Sequence, residues 1–249
     1  LPIGYEPEEV TAFEVGARNT FLEGRARFNI TAFLYDHEPL QYIFEDPIPY
    51  GGGTNTIAEL KESGVETEFS FQISEAWRLD GMLAWQDGEV ESDETAMDII
   101  DFREALGPGI GYFTDGGIGL KFGLSNTPLK GNETPKMPDL LARLALTNTL
   151  NIGGSGNLIS RIEYVHRGEM QARVFNNPTF DQVPSYDVVN LSFRYLPRGS
   201  ENLSFGLTVS NATDEDGVNN IFNNPFGVWS TSEEYIPPRQ VIGSVRYEF

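Results

Sequence analysis

His37 and His166 are the two histidines of this chain, and cysteine is absent. Neither histidine has a second ligand at metal spacing, so the sequence offers no imidazole or thiolate metal centre and no cysteine nucleophile. Carboxylates are abundant, with 37 Asp and Glu against 17 Lys and Arg. Acid–base chemistry needs a pair of them in a defined cleft, and abundance alone marks none. The run Asp87–Glu94 and the triplet Asp214-Glu215-Asp216 carry oxygen ligands that suit a hard cation. Both lack the spaced acidic-glycine pattern of a calcium loop, so solvated charge is the favoured reading. The sequence therefore predicts no catalytic residue, no metal site and no cofactor.

Binding chemistry is better represented. Arginine grips an anionic group through a planar fork of donors, and aromatic rings supply apolar, stacking surface. Arg143, Arg161 and Arg194 recur within alternating segments, where pairing with Glu66, Glu68 or Glu163 competes with a ligand role. Arg167 and Arg173 stand just beyond such a segment. Tyr112, Phe113, Phe175, Phe226 and Trp229 fall in the long stretches between segments. These seven residues are the candidate ligand contacts, against the plainer reading that they pack loops together.

The elements that would position them alternate with a period of two. Val65-Thr67-Phe69-Phe71-Ile73 oppose Glu66-Glu68-Ser70-Gln72. The same pattern runs through Leu79–Trp85, Leu140–Thr147, Leu158–Tyr164, Val189–Tyr195 and Leu203–Ser210. At the terminus, Val241, Gly243, Val245, Tyr247 and Phe249 fall on one side, and Ser244, Arg246 and Glu248 on the other. Ile242 is the exception. Period two is the mark of a strand with unlike faces. With Val10–Thr20 and Arg25–Tyr35 the pattern predicts about nine strands, near the ~9–11 residues of a tilted membrane-spanning strand.

The connections alternate between short and long. Short turns lie near Leu22-Glu23-Gly24, Glu75-Ala76-Trp77, Asn151–Gly156 and Pro197–Asn202. Long stretches cover His37–Ile57, Gly88–Pro138, Gly168–Pro184 and Ala212–Pro237. Thr95–Leu106 reads as a short helix within the longest. Soluble domains rarely carry several structureless loops beyond ~12–15 residues, whereas outer-membrane barrels have short periplasmic turns and long extracellular loops. Placing the short turns in the periplasm sends the terminal strand there as well. A soluble β-sandwich with insertions is the competing architecture.

Composition agrees with a barrel. Hydrophobic residues are 39% and aromatics 12%, low and high respectively for a packed globule. No run approaches ~18 apolar residues, which excludes a helical span, and a mean hydropathy of −0.30 is no objection to alternating strands. Tyr35, Trp77, Trp85, Tyr164, Tyr195 and Tyr247 stand near strand ends, as interfacial girdle residues do. A net charge of −20 argues against nucleic-acid binding.

Five places in order along the chain carry a family likeness. They are Pro7-Glu8-Glu9-Val10-Thr11-Ala12-Phe13-Glu14-Val15-Gly16, then Arg27–Tyr35, then Ser63-Gly64-Val65-Glu66-Thr67-Glu68. Val209-Ser210-Asn211-Ala212-Thr213-Asp214 and Pro238-Arg239-Gln240 with the terminal strand complete the set. In order and spacing the chain resembles the C-terminal part of the β-barrel domain of a TonB-dependent outer-membrane receptor.

The resemblance implies an all-β, antiparallel transmembrane segment spanning residues 1–249, part of a larger barrel of about 22 strands. The plug domain and the first barrel strands would lie outside it. Further implications are energised uptake of a scarce ligand, most often a ferric siderophore or other iron complex, with cobalamin, haem or oligosaccharide open. The implied partners are the rest of the receptor, TonB, outer-membrane lipid and lipopolysaccharide, a small-molecule substrate and the barrel-assembly machinery. That machinery reads C-terminal aromatic strands, which makes Val245, Tyr247 and Phe249 an expected assembly signal. A passive porin-like channel and a soluble adhesive β-domain are the alternatives.

Overall fold

The computed structural model describes residues 7–46, 51–57, 59–98, 126–200, 202–223 and 231–249. In chain order the first strands are β1 (Val10–Phe21), β2 (Ala26–His37), β3 (Leu40–Asp46), β4 (Gly51–Ile57), β5 (Leu60–Gln72) and β6 (Trp77–Val90). Then come β7 (Thr95–Met97), β8 (Asn126–Pro128), β9 (Leu140–Asn151), β10 (Gly156–Arg167), β11 (Met170–Gln171) and β12 (Gln182–Val183). The last are β13 (Tyr186–Pro197), β14 (Leu203–Ser210), β15 (Val218–Asn223), β16 (Thr231–Tyr235) and β17 (Gln240–Tyr247).

Nine of these form one antiparallel meander in the order β1-β2-β5-β6-β9-β10-β13-β14-β17. It is a partial barrel, with β1 and β17 as its two edges. Consecutive wall strands are joined at one end by tight links. A 3-10 turn at Leu22–Gly24 is one, and another at Gly153–Ser155 leads into Gly156 at φ +136°. No described helix is long and apolar enough to cross a membrane.

Directly paired residues in an antiparallel sheet project to the same face, so the register sorts the side chains without ambiguity. One row runs Val15–Ala32–Val65–Trp85–Leu140 across five strands. Another runs Gly81–Leu144–Tyr164–Val189, and a third Leu191–Val209–Val241. Phe13, Leu34, Leu83, Ile162, Phe205, Leu207 and Val245 stand exposed on this same side. It is a continuous apolar face. The opposite side carries Glu14, Thr31, Glu66, Glu68, Asp80, Arg143, Arg161, Glu163 and Arg194, with Ile242 set beside Thr208. Trp77 and Trp85 lie on the apolar side of one strand, eight residues apart. That is about 26 Å of strand, comparable with the ~25 Å apolar band of a membrane barrel.

Three expectations are corrected. Tyr35 is not an outward girdle residue: it pairs with Ala12 and Glu62 on the polar side, and its hydroxyl donates to Glu14 at 2.6 Å. The long connections are not structureless, because each contains its own two-stranded sheet: β3-β4, β7-β8, β11-β12 or β15-β16. Backbone N–H and C=O groups held close to other chain need partners, and short pairs supply them. Thr95–Met97 is a strand rather than the start of a helix, paired with Asn126–Pro128, and 99–106 lies outside the described residues.

Candidate functional site

The polar face carries a charged band toward the tight-turn end. Glu163 accepts from Arg143 Nε at 2.7 Å and from Arg161 Nη2 at 3.1 Å. Arg161 also lies 3.5 Å from Asp80 and donates to Thr147. Arg194 reaches the Ser204 hydroxyl at 3.5 Å. The expected pairing with wall carboxylates therefore holds for Arg143 and Arg161, through Glu163 and Asp80 rather than Glu66 and Glu68, while Arg194 meets a hydroxyl and no carboxylate among the described residues. A groove of about 280 Å³ opens here between Arg27, Asn29, Glu68, Asp80, Arg143 and Arg161. It can take a polar, charge-bearing surface.

At the opposite end the long connections fold onto one another. Ile57, Leu60, Val90, Ala96, Leu129 and Val174 form one small core, with Leu40 and Phe175 against it. Met170, Ala172 and Val183 form a second, covered by Val218 and Ile221. The first core draws on stretches around 57–60, 90–96, 129 and 174, and the second on 170–172 and 183, which explains why no periodic pattern announces these cores. Phe175 thus packs the connections together, as the plainer reading has it.

Arg173 lies between two carboxylates that are essentially sequestered from solvent, Asp98 at 1% and Asp181 at 0% exposure. Nη1 meets Asp98 at 2.7 Å and Nε meets Asp181 at 2.6 Å, with Nη2 closing a fork on each. The guanidinium also lies 5.1 Å from the Phe175 ring. Burial by itself would lower Arg173, but the hydrogen bonds and charge of the two carboxylates outweigh it and raise its pKa. Asp181 is held above the usual carboxylate range. Burial is the main cause, the charge of Asp98 adds to it, and Arg173 and the Asn177 N–H oppose it. Two buried carboxylates sharing one cation account for both directions. Asn223 Nδ2 donates to Phe180 O and Asp181 Oδ1, so a third connection joins this knot.

Arg167 ends β10 on the polar side of the wall and is 6% exposed. Nη2 donates to Pro184 O and Val218 O, both at 2.7 Å, and the guanidinium lies 4.6 Å from the Tyr186 ring centroid. The structure thus brings Arg167, Arg173 and Phe175 to one end of the wall. Tyr112, Phe113, Phe226 and Trp229 lie outside the described residues. Val245, Tyr247 and Phe249 lie on the exposed edge, with Tyr247 and Phe249 in an edge-on ring contact at 5.1 Å.

Sequence reading missed Tyr186, Asp98 and Asp181. A single acid flanked by apolar residues, as in Ala96-Met97-Asp98-Ile99-Ile100, is the available signal for a buried carboxylate. It also missed a meeting of Asp36, Glu38 and Glu59, whose ligand oxygens lie within 4.8 Å of one another. Lys61 sits 2.7 Å from Glu59 and offsets part of that charge. His37 and His166 lie at strand ends, 3.5 Å from Glu62 and 2.8 Å from Asp187.

Residues 1–212 match the family described as TonB dependent receptor-like, beta-barrel. A metal-pseudopaline receptor of Pseudomonas aeruginosa is 27% identical over 187 residues, 66% of this chain and 25% of that protein. The chain thus spans about a quarter of the curated relatives it matches. Among solved structures, the ferric yersiniabactin uptake receptor FyuA of Yersinia pestis superposes with TM-score 0.70 at 15% identity, covering 97% of this chain and 30% of that one. The siderophore receptor PiuA of Acinetobacter baumannii gives TM-score 0.67 at 18% identity, covering 97% and 28%. These likenesses carry the fold. The family match, over most of the chain, carries membership: the chain belongs to the TonB-dependent receptor β-barrel family of Gram-negative outer-membrane proteins.

Proposed function

We propose that this chain is the C-terminal stretch of the barrel wall of an outer-membrane receptor that takes up a metal complex, with a ferric siderophore as the favoured ligand. The observation that carries this reading is the sorting of side chains across nine strands into one apolar and one charged face, with both edge strands unpaired on their outer sides. In lipid an unpaired backbone edge is costly, so β1 and β17 call for further strands of the same receptor. Membership in the family supports a plug domain as occupant of the charged face and TonB as the source of energy. The metal-pseudopaline and ferric yersiniabactin receptors, named for metal-bearing ligands, and the siderophore receptor PiuA support the substrate class.

In this reading the tight turns and Phe249 are periplasmic, and the packed connections face outward among lipopolysaccharide headgroups. Val245, Tyr247 and Phe249 are read by the assembly machinery. The test is uptake of radiolabelled iron by cells carrying or lacking the full receptor gene, each with and without TonB. Receptor-dependent and TonB-dependent accumulation is expected. Accumulation that survives loss of TonB would instead identify a passive channel. If no iron complex accumulates, the same assay with copper, zinc or nickel decides between another metal and none.

A further inference from the structure

The charges of the polar face fall into two sectors. On β6, β9 and β10 they neutralise one another within the wall. Asp80 meets Arg78 at 2.7 Å and Arg161 at 3.5 Å, and Glu163 meets Arg143 and Arg161 at 2.5 and 3.1 Å. Asn190 of β13 donates to the second Glu163 oxygen at 3.4 Å. Beyond Arg161 the same row runs on through Ser192, Thr208 and Ile242, which are uncharged.

On β1, β2 and β5 the pattern is different. Arg18, Arg27, Glu66 and Glu68 are exposed, and among the described residues none of their side chains has an ion pair or a hydrogen bond. The register explains why. Asn29 stands between Arg18 and Glu68 in one row, and Ser70 stands between Arg27 and Asp80 in another. Each arginine is thus two strands, about 9–10 Å, from the carboxylate in its row. The four unpaired charges line a groove of about 520 Å³ together with Asn29 and Thr31.

A pair formed within the wall keeps its partner whether or not anything fills the lumen. An unpaired charge does not. An occupant that covers it removes its water, which is costly unless the occupant brings the opposite charge. Where it does, the contact also fixes register and orientation. The β1, β2 and β5 sector therefore calls for acidic groups opposite Arg18 and Arg27 and basic groups opposite Glu66 and Glu68. The neighbouring sector calls for neither, and parting from it strands no charge.

We propose that the plug is fastened along β1, β2 and β5, and that the solute passes between the plug and β9, β10 and β13. This rests on the reading of the protein as a receptor with a plug domain, and deepens it by naming the side on which the passage opens.

Thr31 and Ser192 face the lumen, one in each sector, and this chain has no cysteine of its own. Thr31→Cys and Ser192→Cys, each in the full receptor on a cysteine-free background, are labelled with a fluorescent maleimide in detergent. Labelling is followed over a range of urea that leaves the wall folded. Ser192→Cys is expected to react at lower urea than Thr31→Cys. Raising sodium chloride from about 0.1 to about 1 M shortens the screening length from about 10 to about 3 Å, and should speed labelling of Thr31→Cys only. At low salt, Glu66→Gln with Glu68→Gln should speed it several-fold as well. Exposure of both thiols together, or in the opposite order, overturns the proposal. So does labelling of Thr31→Cys that Glu66→Gln with Glu68→Gln leaves unmoved. TonB-dependent iron uptake with both thiols opening together removes the sector division and leaves the transport reading, and ordered opening without metal uptake does the reverse.

Discussion

Arg173 and Asp98 stand 75 positions apart in the sequence and 2.7 Å apart in the structure, joined where two long connections meet. Asp181, also bound by Arg173, is in turn bound by Asn223 of a third connection. Loops that look independent in sequence are therefore fastened at one buried point.

Removing the cation should undo that fastening. Arg173→Met leaves two buried carboxylates without a partner, which costs about 3–5 kcal/mol at the site. The expected outcome is faster amide exchange at Ala172–Val183 and Val218–Asn223, with the wall strands β9, β10 and β13 still protected. Restoring protection by adding Asp98→Asn and Asp181→Asn would identify stranded charge as the cause. Protection that never changes would show that the two small cores hold the connections without the ion knot.

The assignment of faces makes a quantitative contrast. Leu144→Arg and Leu207→Arg place a cation on the apolar side at mid-strand and should each cost ~2–4 kcal/mol of folding free energy in bilayers. Ser70→Arg places the same cation on the polar side opposite Asp80 and should cost less than ~1 kcal/mol. Equal penalties for Ser70→Arg and Leu207→Arg would reject the assignment.

The aromatic terminus is expected to matter for assembly more than for the stability of the finished wall. Phe249→Ala and Tyr247→Ala should lower the folded receptor recovered from outer membranes several-fold, while folding of the purified protein into detergent is little altered. Equal losses in both measurements would assign the two rings a structural role only.

Gly156 should tolerate no side chain. Its φ is +136°, and a Cβ there would lie 2.1 Å from Leu196 O. Gly156→Ala is therefore expected to cost about 1–3 kcal/mol, from the backbone conformation and from displacement of β13. Gly153→Ala in the same turn meets open space, so only its φ of +59° opposes it and its cost should be smaller. A denaturant titration of both variants checks the order.

The wall was legible because its signal is local. A strand with one face in lipid must alternate, as Val65–Ile73 does, and the tight turns at Leu22–Gly24 and Asn151–Gly156 announce themselves through glycine and short length. Tyr35 shows the limit of the same rule. An aromatic near a strand end belongs to either face, and only the pairing with Glu62 and Glu14 puts it on the polar side.

By itself, then, the sequence determined the number of wall strands, their alternation, the parity of their connections and the family, since each follows from neighbours along the chain. Tertiary structure decided what the connections do. Arg167 and Arg173 read alike in sequence, as cations beyond a strand. Among the described residues one acquired two carboxylates and the other two carbonyls and a ring, because their partners come from Asp98, Asp181, Pro184, Tyr186 and Val218. Those positions are brought together by the register of the whole wall, and no periodicity in a single segment records which of them will meet.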